Sequence, residues 1–258
     1  MRIPIRDNLK DPLVRRGLRN YSPLDMRPRL VELAAALYPD KNVGTYAKAR
    51  LHALISAAIC QGYNGEQMIK YALFKHVRRR NLVGAFEMNV NNSRVDFLTI
   101  NGHTTGYEIK SGLDNLGKLR KQANDYQKVF EYNYIVADYG HLEACLAIIP
   151  PEFGIISLCG NKKDIHRKAK INPFIDPAAQ IAALTNKERA AYFSGVNSQE
   201  TCLAIFNADE INGRFKKALR ERYIDRWLFV TGRSEQIFPA DLQFFFNQNI
   251  EPQLIYDI

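Results

Sequence analysis

The stretch RVDFLTINGHTTGYEIK, residues 94–110, decides the fold that this sequence predicts. Apolar and polar residues alternate on both sides of Asn101-Gly102, a pair that accepts positive φ at both central positions of a type I′ turn. The pattern therefore predicts an antiparallel hairpin of two strands, Arg94 to Ile100 and Thr105 to Lys110.

The predicted hairpin brings three charged side chains together. Residues of equal parity share a face of a strand, so Glu108 and Lys110 project from the same side. With Ile100 paired with His103, Asp96 lies one step from Glu108, and both carboxylates can reach one cation. Two carboxylates, a backbone carbonyl and waters suit a small hard ion such as magnesium. A lysine beside that ion can orient water or stabilise charge on a phosphate.

Apolar periodicity predicts further elements on both sides of the hairpin. Their order indicates a mixed α/β fold, in which helices flank the central hairpin and a mainly helical appendage follows. The predicted elements are helices at 29–37, 45–60 and 64–77, a strand at 83–90, a helix at 116–130, strands at 132–137, 144–149 and 154–158, and helices at 177–193 and 209–223.

Composition limits the class of protein. The 258 residues are 46% hydrophobic and 24% charged, which is enough to form at least one sizeable core. No apolar run reaches the roughly 20 residues of a bilayer span, and the first residues lack the apolar stretch of a signal peptide. The sequence therefore predicts a cytoplasmic protein without membrane contact.

Basic residues outnumber acidic ones by 36 to 27, giving a formal charge of +9. They cluster at Lys75–Arg80, at residues 162–170 and at residues 214–226. Such clusters suit a polyanionic partner, although each one alone is also typical of a solvated helix face.

The residues around the charged hairpin resemble the PD-(D/E)XK nuclease superfamily. Within it, the chain is similar to a group of compact bacterial and phage proteins that share a Gly-Tyr-Glu-Ile-Lys-Ser core. The resemblance covers roughly residues 65–158, and Val95 stands where the family has proline. It rests on Arg94-Val95-Asp96-Phe97, on Gly106-Tyr107-Glu108-Ile109-Lys110-Ser111, on Asp114, and on Gln122 and Tyr126.

The resemblance implies a restriction-endonuclease-like fold, with a central mixed sheet flanked by helices, and a set of functional residues. Asp96, Glu108 and the backbone carbonyl of Ile109 would hold Mg²⁺, with Mn²⁺ as a substitute. Lys110 would be the catalytic lysine, and Gln122 matches a helix glutamine that often faces the site. The implied division is an N-terminal arm at 1–44, a nuclease-like core at 45–171 and a mainly helical region at 172–258.

A helix before the first strand of this family often supplies another glutamate. Glu66 is the candidate here, and Glu87 on the first strand is the alternative. Glu66 is equally typical of a first-turn residue that complements the helix dipole.

Other residues are candidates for contact with nucleic acid. Arg94 either contacts phosphate or forms a salt bridge at the rim of the site. Ser111 and the basic run Arg78, Arg79 and Arg80 complete the predicted nucleic-acid-binding set.

Some nucleases of this superfamily bind an iron–sulfur cluster with one cysteine before the catalytic core and three after it. Cys60, Cys145, Cys159 and Cys202 occur in that order. The close spacing of the last cysteines is missing, so no cluster is expected.

These observations predict a metal-dependent nuclease that hydrolyses phosphodiester bonds in DNA by metal-activated water. Two alternatives stay open: an inactive nucleic-acid-binding or assembly module on the same fold, and a toxin that cleaves RNA. The oligomeric state is also open, with a homodimer as one option.

Overall fold

The structure is a computed structural model that describes residues 9, 11–62, 65–112, 114–159 and 162–257. It contains two compact units. The first comprises the described residues up to Tyr71 together with those from Leu228 onward, and the second comprises Ala72–Trp227. The boundaries predicted after residues 44 and 171 stay predictions.

The helices lie in both units and are numbered here along the chain. In that order they are α1 (Pro12–Arg19), α2 (Arg27–Leu37), α3 (Lys48–Gly62), α4 (Glu66–Val77), α5 (Leu119–Gln127), α6 (Leu142–Ile148), α7 (Pro177–Ala182), α8 (Asn186–Tyr192), α9 (Gln199–Ile205), α10 (Ala208–Gly232), α11 (Leu242–Gln248) and α12 (Pro252–Tyr256). Among the described residues, no helix is both long enough and apolar enough to cross a bilayer.

A six-stranded mixed sheet forms the centre of the second unit. Its strands are β1 (Val83–Val90), β2 (Ser93–Asn101), β3 (His103–Lys110), β4 (Tyr132–Ala137), β5 (Gly154–Cys159) and β6 (Lys162–Arg167), and they lie side by side in chain order. The β3–β4 and β4–β5 pairs are parallel, and the other pairs are antiparallel. The predicted mixed α/β fold is therefore confirmed.

Helices cover both faces of this sheet. Tyr107 and Glu108 are consecutive in β3 and point to opposite faces. On the Tyr107 side, Phe97 contacts the ring of Trp227 from α10, at a centroid distance of 6.3 Å. On the Glu108 side, Tyr126 of α5 donates a hydrogen bond to the glutamate. The carboxylates of the predicted site thus lie under α5.

The β2–β3 hairpin is one residue tighter than predicted. Asn101 pairs with His103, and Gly102 alone forms the tip with a φ of 72°. Glycine takes positive φ without steric cost, so one such residue is enough to reverse the chain. The predicted two-residue type I′ turn is therefore wrong, and the pairing of the strands shifts by one residue.

One predicted strand is wrong, and one strand of the sheet was not predicted. The run at 144–149 belongs mainly to helix α6, because periodicity does not distinguish a short apolar strand from a buried helical turn. The basic run from Lys162 forms the edge strand β6. Charged side chains are frequent in edge strands, so the apolar–polar alternation that predicts a strand is not visible here.

The remaining predicted elements are confirmed, with ends that move by a few residues. The strands at 83–90 and 132–137 have the predicted bounds. The helix predicted at 177–193 forms two helices, because Thr185 and Glu188 make a capping box that starts α8. Asn64, at which the helix at 64–77 is predicted to begin, lies outside the described residues.

The first unit has its own apolar core. Side chains from α1, α2 and α3 meet there, among them the fully buried Leu30, Leu51 and Ile55. Phe245 and Phe246 of α11 are also fully buried.

Candidate active site

Three acids lie side by side across β1, β2 and β3: Glu87, Asp96 and Glu108. The β1–β2 register puts Glu87 level with Asp96, and the β2–β3 register puts Asp96 level with Glu108. Directly opposite residues of adjacent strands share a face. The predicted register would have set Asp96 opposite Tyr107, on the other face, so the observed register is what creates this carboxylate row.

Glu87 has an unusual backbone conformation for a strand residue. Its φ is 57°, and the ladder between β1 and β2 skips it. A non-glycine residue in this region costs about 1–3 kcal/mol, and such residues cluster at functional sites. The conformation brings a Glu87 carboxylate oxygen within 4.8 Å of one from Asp96. Two hard oxygen ligands are therefore within reach of one cation.

Asp96 is oriented by the backbone of β3. The side-chain Oδ2 accepts a hydrogen bond of 2.6 Å from the amide N–H of Ile109. The β2–β3 ladder ends at the Phe97–Tyr107 pair. Beyond that pair, the Asp96 carboxylate accepts the hydrogen bond of the Ile109 N–H in place of a backbone carbonyl of β2. This contact fixes the carboxylate against the hairpin. Whether the Ile109 carbonyl binds a metal stays a prediction.

Glu108, Lys110 and Gln122 meet on one face of β3. Lys110 Nζ donates to Glu108 Oε1 at 2.7 Å and to Gln122 Oε1 at 3.0 Å. Glu108 is 2% exposed and Lys110 is 7% exposed, so the ion pair is largely shielded from water. The predicted orientation of Glu108 and Lys110 is confirmed, and α5 supplies Gln122 as the third partner.

The role of Tyr126 was not predicted from the sequence. The hydroxyl oxygen lies 2.6 Å from Glu108 Oε2 and 2.7 Å from the carbonyl oxygen of Arg94. Burial raises the pKa of Tyr126, and the nearby Glu108 and Asp96 raise it further. Tyr126 is therefore a phenol that donates to the site. The only signal was its position four residues after Gln122, on the same helix face.

Arg94 and Ser111 lie near the carboxylate row but have protein partners. Arg94 is exposed, and its Nε forms an ion pair with Glu87, which is the rim salt bridge that the sequence left open. Ser111 is buried, and its N–H and hydroxyl both donate to Asp114 at 2.7 Å. Their contacts with nucleic acid stay predictions.

The basic run Arg78, Arg79 and Arg80 follows the end of α4. Burial lowers the pKa of Lys163 in β6, and the positive charge of Arg80 lowers it further. Arg80 therefore lies close enough to Lys163, which belongs to a second basic cluster of the sequence, for their charges to interact.

Glu66 is the first residue of α4 and belongs to the first unit. Its carboxylate forms an ion pair with Lys70, one helical turn further along. Its role as an additional metal ligand stays a prediction.

Comparison with known proteins gives one family and one solved structure. The sequence pattern of the family described as Bacteriophage P4 protein cII matches residues 61–245, a range that includes the whole carboxylate row and Lys110. No curated protein matches the chain. The SPO1766 protein of unknown function from Silicibacter pomeroyi is 20% identical over 46% of this chain and 80% of that chain, with a TM-score of 0.36. A likeness this distant carries no argument about function.

Proposed function

This chain belongs to the family described as Bacteriophage P4 protein cII, and we propose that it is a metal-dependent nuclease that hydrolyses phosphodiester bonds in DNA. One observation carries the proposal: Glu87, Asp96 and Glu108 lie level on three adjacent strands, and Lys110 pairs with the last of them. Glu87 and Asp96 hold carboxylate oxygens within 4.8 Å of each other, and a bound cation would relieve the repulsion between these like charges.

The ligands in this row fit a hard divalent cation. Glu87 and Asp96 bring carboxylate oxygens within 4.8 Å of each other, and carboxylate oxygens are what Mg²⁺ prefers. These two acids and Glu108 would hold the ion, and Mn²⁺ would substitute for it. When bound, such a cation supplies Lewis acidity toward a phosphate and toward water.

Lys110 has the capacity to bind a phosphate oxygen. An ammonium group has three N–H donors, and those of Lys110 meet two acceptors among the described residues, Glu108 and Gln122. The remaining donor is available to a non-bridging oxygen, whose negative charge grows as a nucleophile attacks. Lys110 would therefore stabilise the phosphate while Glu108 and Gln122 hold its amine in place.

Gln122 and Tyr126 act as positioning residues from α5. Gln122 holds the amine of Lys110 from the side opposite Glu108. Tyr126 donates to Glu108 Oε2, which leaves Oε1 to the lysine. Both contacts restrict the rotamers of the charged side chains, and restricted geometry is what catalysis by positioned groups needs.

DNA is the proposed substrate because of the excess of basic residues, a formal charge of +9. Binding should weaken with salt as bound phosphates release counterions, with a slope of about −0.9 per neutralised phosphate. Replacing Arg78, Arg79 and Arg80 by Ala should flatten that slope. An unchanged slope would mean that this run is a solvated chain segment.

The test of the proposal is cleavage by the purified full chain. Linear, circular, single-stranded and branched DNA, and RNA, are incubated with Mg²⁺ or with a chelator. Cleavage should require the metal and fall by at least about 100-fold in Asp96→Asn and in Lys110→Gln. Exposed residues of the same types give the matched controls, Asp225→Asn and Lys118→Gln.

Three results would overturn the proposal. The first is cleavage that continues at the wild-type rate in Asp96→Asn. The second is cleavage that ignores the chelator. The third is DNA binding without any cleavage, which would identify a binding module, while cleavage confined to RNA would identify a ribonuclease.

A further inference from the structure

A concave cavity of 620 Å³ lies beside the carboxylate row, within the second unit. One wall comes from β1 and the turn after it, and the other comes from the segment between α7 and α8 and from the middle of α10. The polar side chains of the lining are Asn89, Asn91, Asn92, Thr185, Arg222 and Tyr223. The volume falls within the roughly 300–1,000 Å³ that is usual for small-ligand sites.

The cavity lacks the charge that a phosphate needs. Arg222 donates from Nε to Glu188 Oε1 at 2.5 Å, and its terminal nitrogen pairs with the other carboxylate oxygen. That terminal nitrogen also donates to the carbonyl oxygen of Ala183 at 3.1 Å. The arginine is thus neutralised and serves to hold the wall. An anion placed here would meet no uncompensated cation from the lining.

Uncharged amides dominate the open part of the cavity instead. Asn89, Asn91 and Asn92 have exposed side chains, and each amide offers two N–H donors and an acceptor oxygen. This combination matches the edge of a nucleobase, and asparagine pairs with adenine through two hydrogen bonds at once. Tyr223 also lines the cavity, where its largely buried side chain forms part of the wall.

The cavity shares one residue with the carboxylate row. Glu87 belongs both to the lining of the cavity and to the carboxylate row. A nucleobase is joined to its phosphates through one sugar, so a base in the cavity brings a flanking phosphate to the acids.

We propose that this cavity binds an unpaired nucleobase of the substrate, so that the protein acts on single-stranded DNA or on a base turned out of a duplex. A base that is stacked and paired within a helix does not enter a concave site. The inference rests on the proposed nuclease function, because the carboxylate row is the group that would act on the adjacent phosphate.

The experiment measures binding without cleavage. Fluorescent short oligonucleotides, single-stranded and fully paired, are titrated with the full chain in a chelator. Asn89→Ala/Asn92→Ala removes two exposed amides from the cavity, and Asn101→Ala removes an exposed amide at the tip of the neighbouring hairpin as a matched control. The double variant should bind single strands about tenfold or more weakly, and the control should bind like the wild type.

A second readout reports on the base itself. A single strand with 2-aminopurine in place of one adenine should change its fluorescence when the wild type binds, and this change should be lost in the double variant. Equal melting temperatures of the three proteins exclude a folding defect as the cause.

The outcomes separate this inference from the nuclease proposal. Unchanged affinity and fluorescence in the double variant would overturn the base site even if the protein cleaves DNA. A wild type that binds no single strand would also overturn it. Base-dependent binding without metal-dependent cleavage would retain the base site and overturn the nuclease.

Discussion

Glu108 in the second unit and Asp241 in the first are both buried acids, but their partners differ. Glu108 meets an ammonium group, since Lys110 Nζ lies 2.7 Å from its Oε1. Asp241 meets two phenols, because Tyr256 donates to its Oδ2 at 2.7 Å and Tyr21 at 3.2 Å. The other oxygen of Asp241 has no hydrogen-bond partner among the residues that the structure describes.

These partners decide the charge of each cluster. Burial raises the pKa of Asp241 to about 7, and the hydrogen bonds from Tyr256 and Tyr21 only partly oppose it. His52 touches the same Tyr21 hydroxyl through Nδ1 at 2.7 Å, and burial lowers its pKa to about 4, with Lys48 acting in the same direction. Around pH 6 the Asp241 cluster is therefore largely neutral and structural. The Glu108 cluster contains an ion pair instead.

The largest expected effect comes from breaking the Glu108–Lys110 ion pair. Lys110→Met should lower the free energy of unfolding by about 3–5 kcal/mol, because it leaves a buried carboxylate without its cation. Glu108→Gln/Lys110→Met should recover much of this loss, since neither charge then remains. Chemical denaturation in a chelator measures both values.

The control for this prediction is Lys118→Met, which removes an exposed lysine near the start of α5. It should change the free energy of unfolding by no more than about 0.5 kcal/mol. If Lys110→Met were as stable as this control, the buried Glu108 would not need Lys110 as a partner. The proposed difference between the Glu108 and Asp241 clusters would then be wrong.

Part of the site could be predicted from the sequence, because strand parity is a local property. Glu108 and Lys110 share a face whatever the rest of the fold does, and the helical spacing of Gln122 and Tyr126 similarly sets them on one side of α5. The register could not be predicted, since one residue in the turn at Gly102 decides which face Asp96 takes.

The Asp241 cluster lies beyond any local pattern. Tyr21, His52, Asp241 and Tyr256 come from four separate segments, and only tertiary packing brings them together. The same holds for Glu87, whose positive φ is unfavourable for a glutamate on its own and persists because the surrounding strands impose it.

The next effect is a pH dependence that belongs to Asp241 alone. The pKa is raised on folding, so the folded state binds more protons, and stability is lost as pH rises from about 4 to about 7. The loss from this group is up to roughly 4 kcal/mol. Asp241→Asn cannot titrate, so its free energy of unfolding should change less over this range, and at pH 8 it should exceed that of the wild type.

Denaturation curves at several pH values measure this difference. Asp257→Asn, which changes an exposed acid near the end of the same unit, is the matched control and should follow the wild type. Parallel pH profiles for the wild type and Asp241→Asn would show that Asp241 is ionised in the folded protein, as Glu108 is proposed to be.

The smallest expected effect is the change in stability on addition of a metal ion. It tests whether the carboxylate row binds a cation and the Asp241 cluster does not. Mg²⁺ or Mn²⁺ that binds only the folded state should stabilise the wild type by about 2.7 kcal/mol at 100 times its dissociation constant. Asp96→Asn keeps the shape of the side chain and one oxygen acceptor but removes a charge, so this gain should vanish.

In a chelator the Asp96→Asn variant should melt at or above the wild-type temperature, because the repulsion between Asp96 and Glu87 is relieved. Asp241→Asn should keep the full response to metal around pH 6, since the Asp241 cluster is largely uncharged there. Melting curves of the wild type, Asp96→Asn and Asp241→Asn, each in chelator and in metal, measure these responses. An equal metal response in Asp96→Asn would show that the ion binds elsewhere, and a lower melting temperature in chelator would make Asp96 a structural partner of the Ile109 amide.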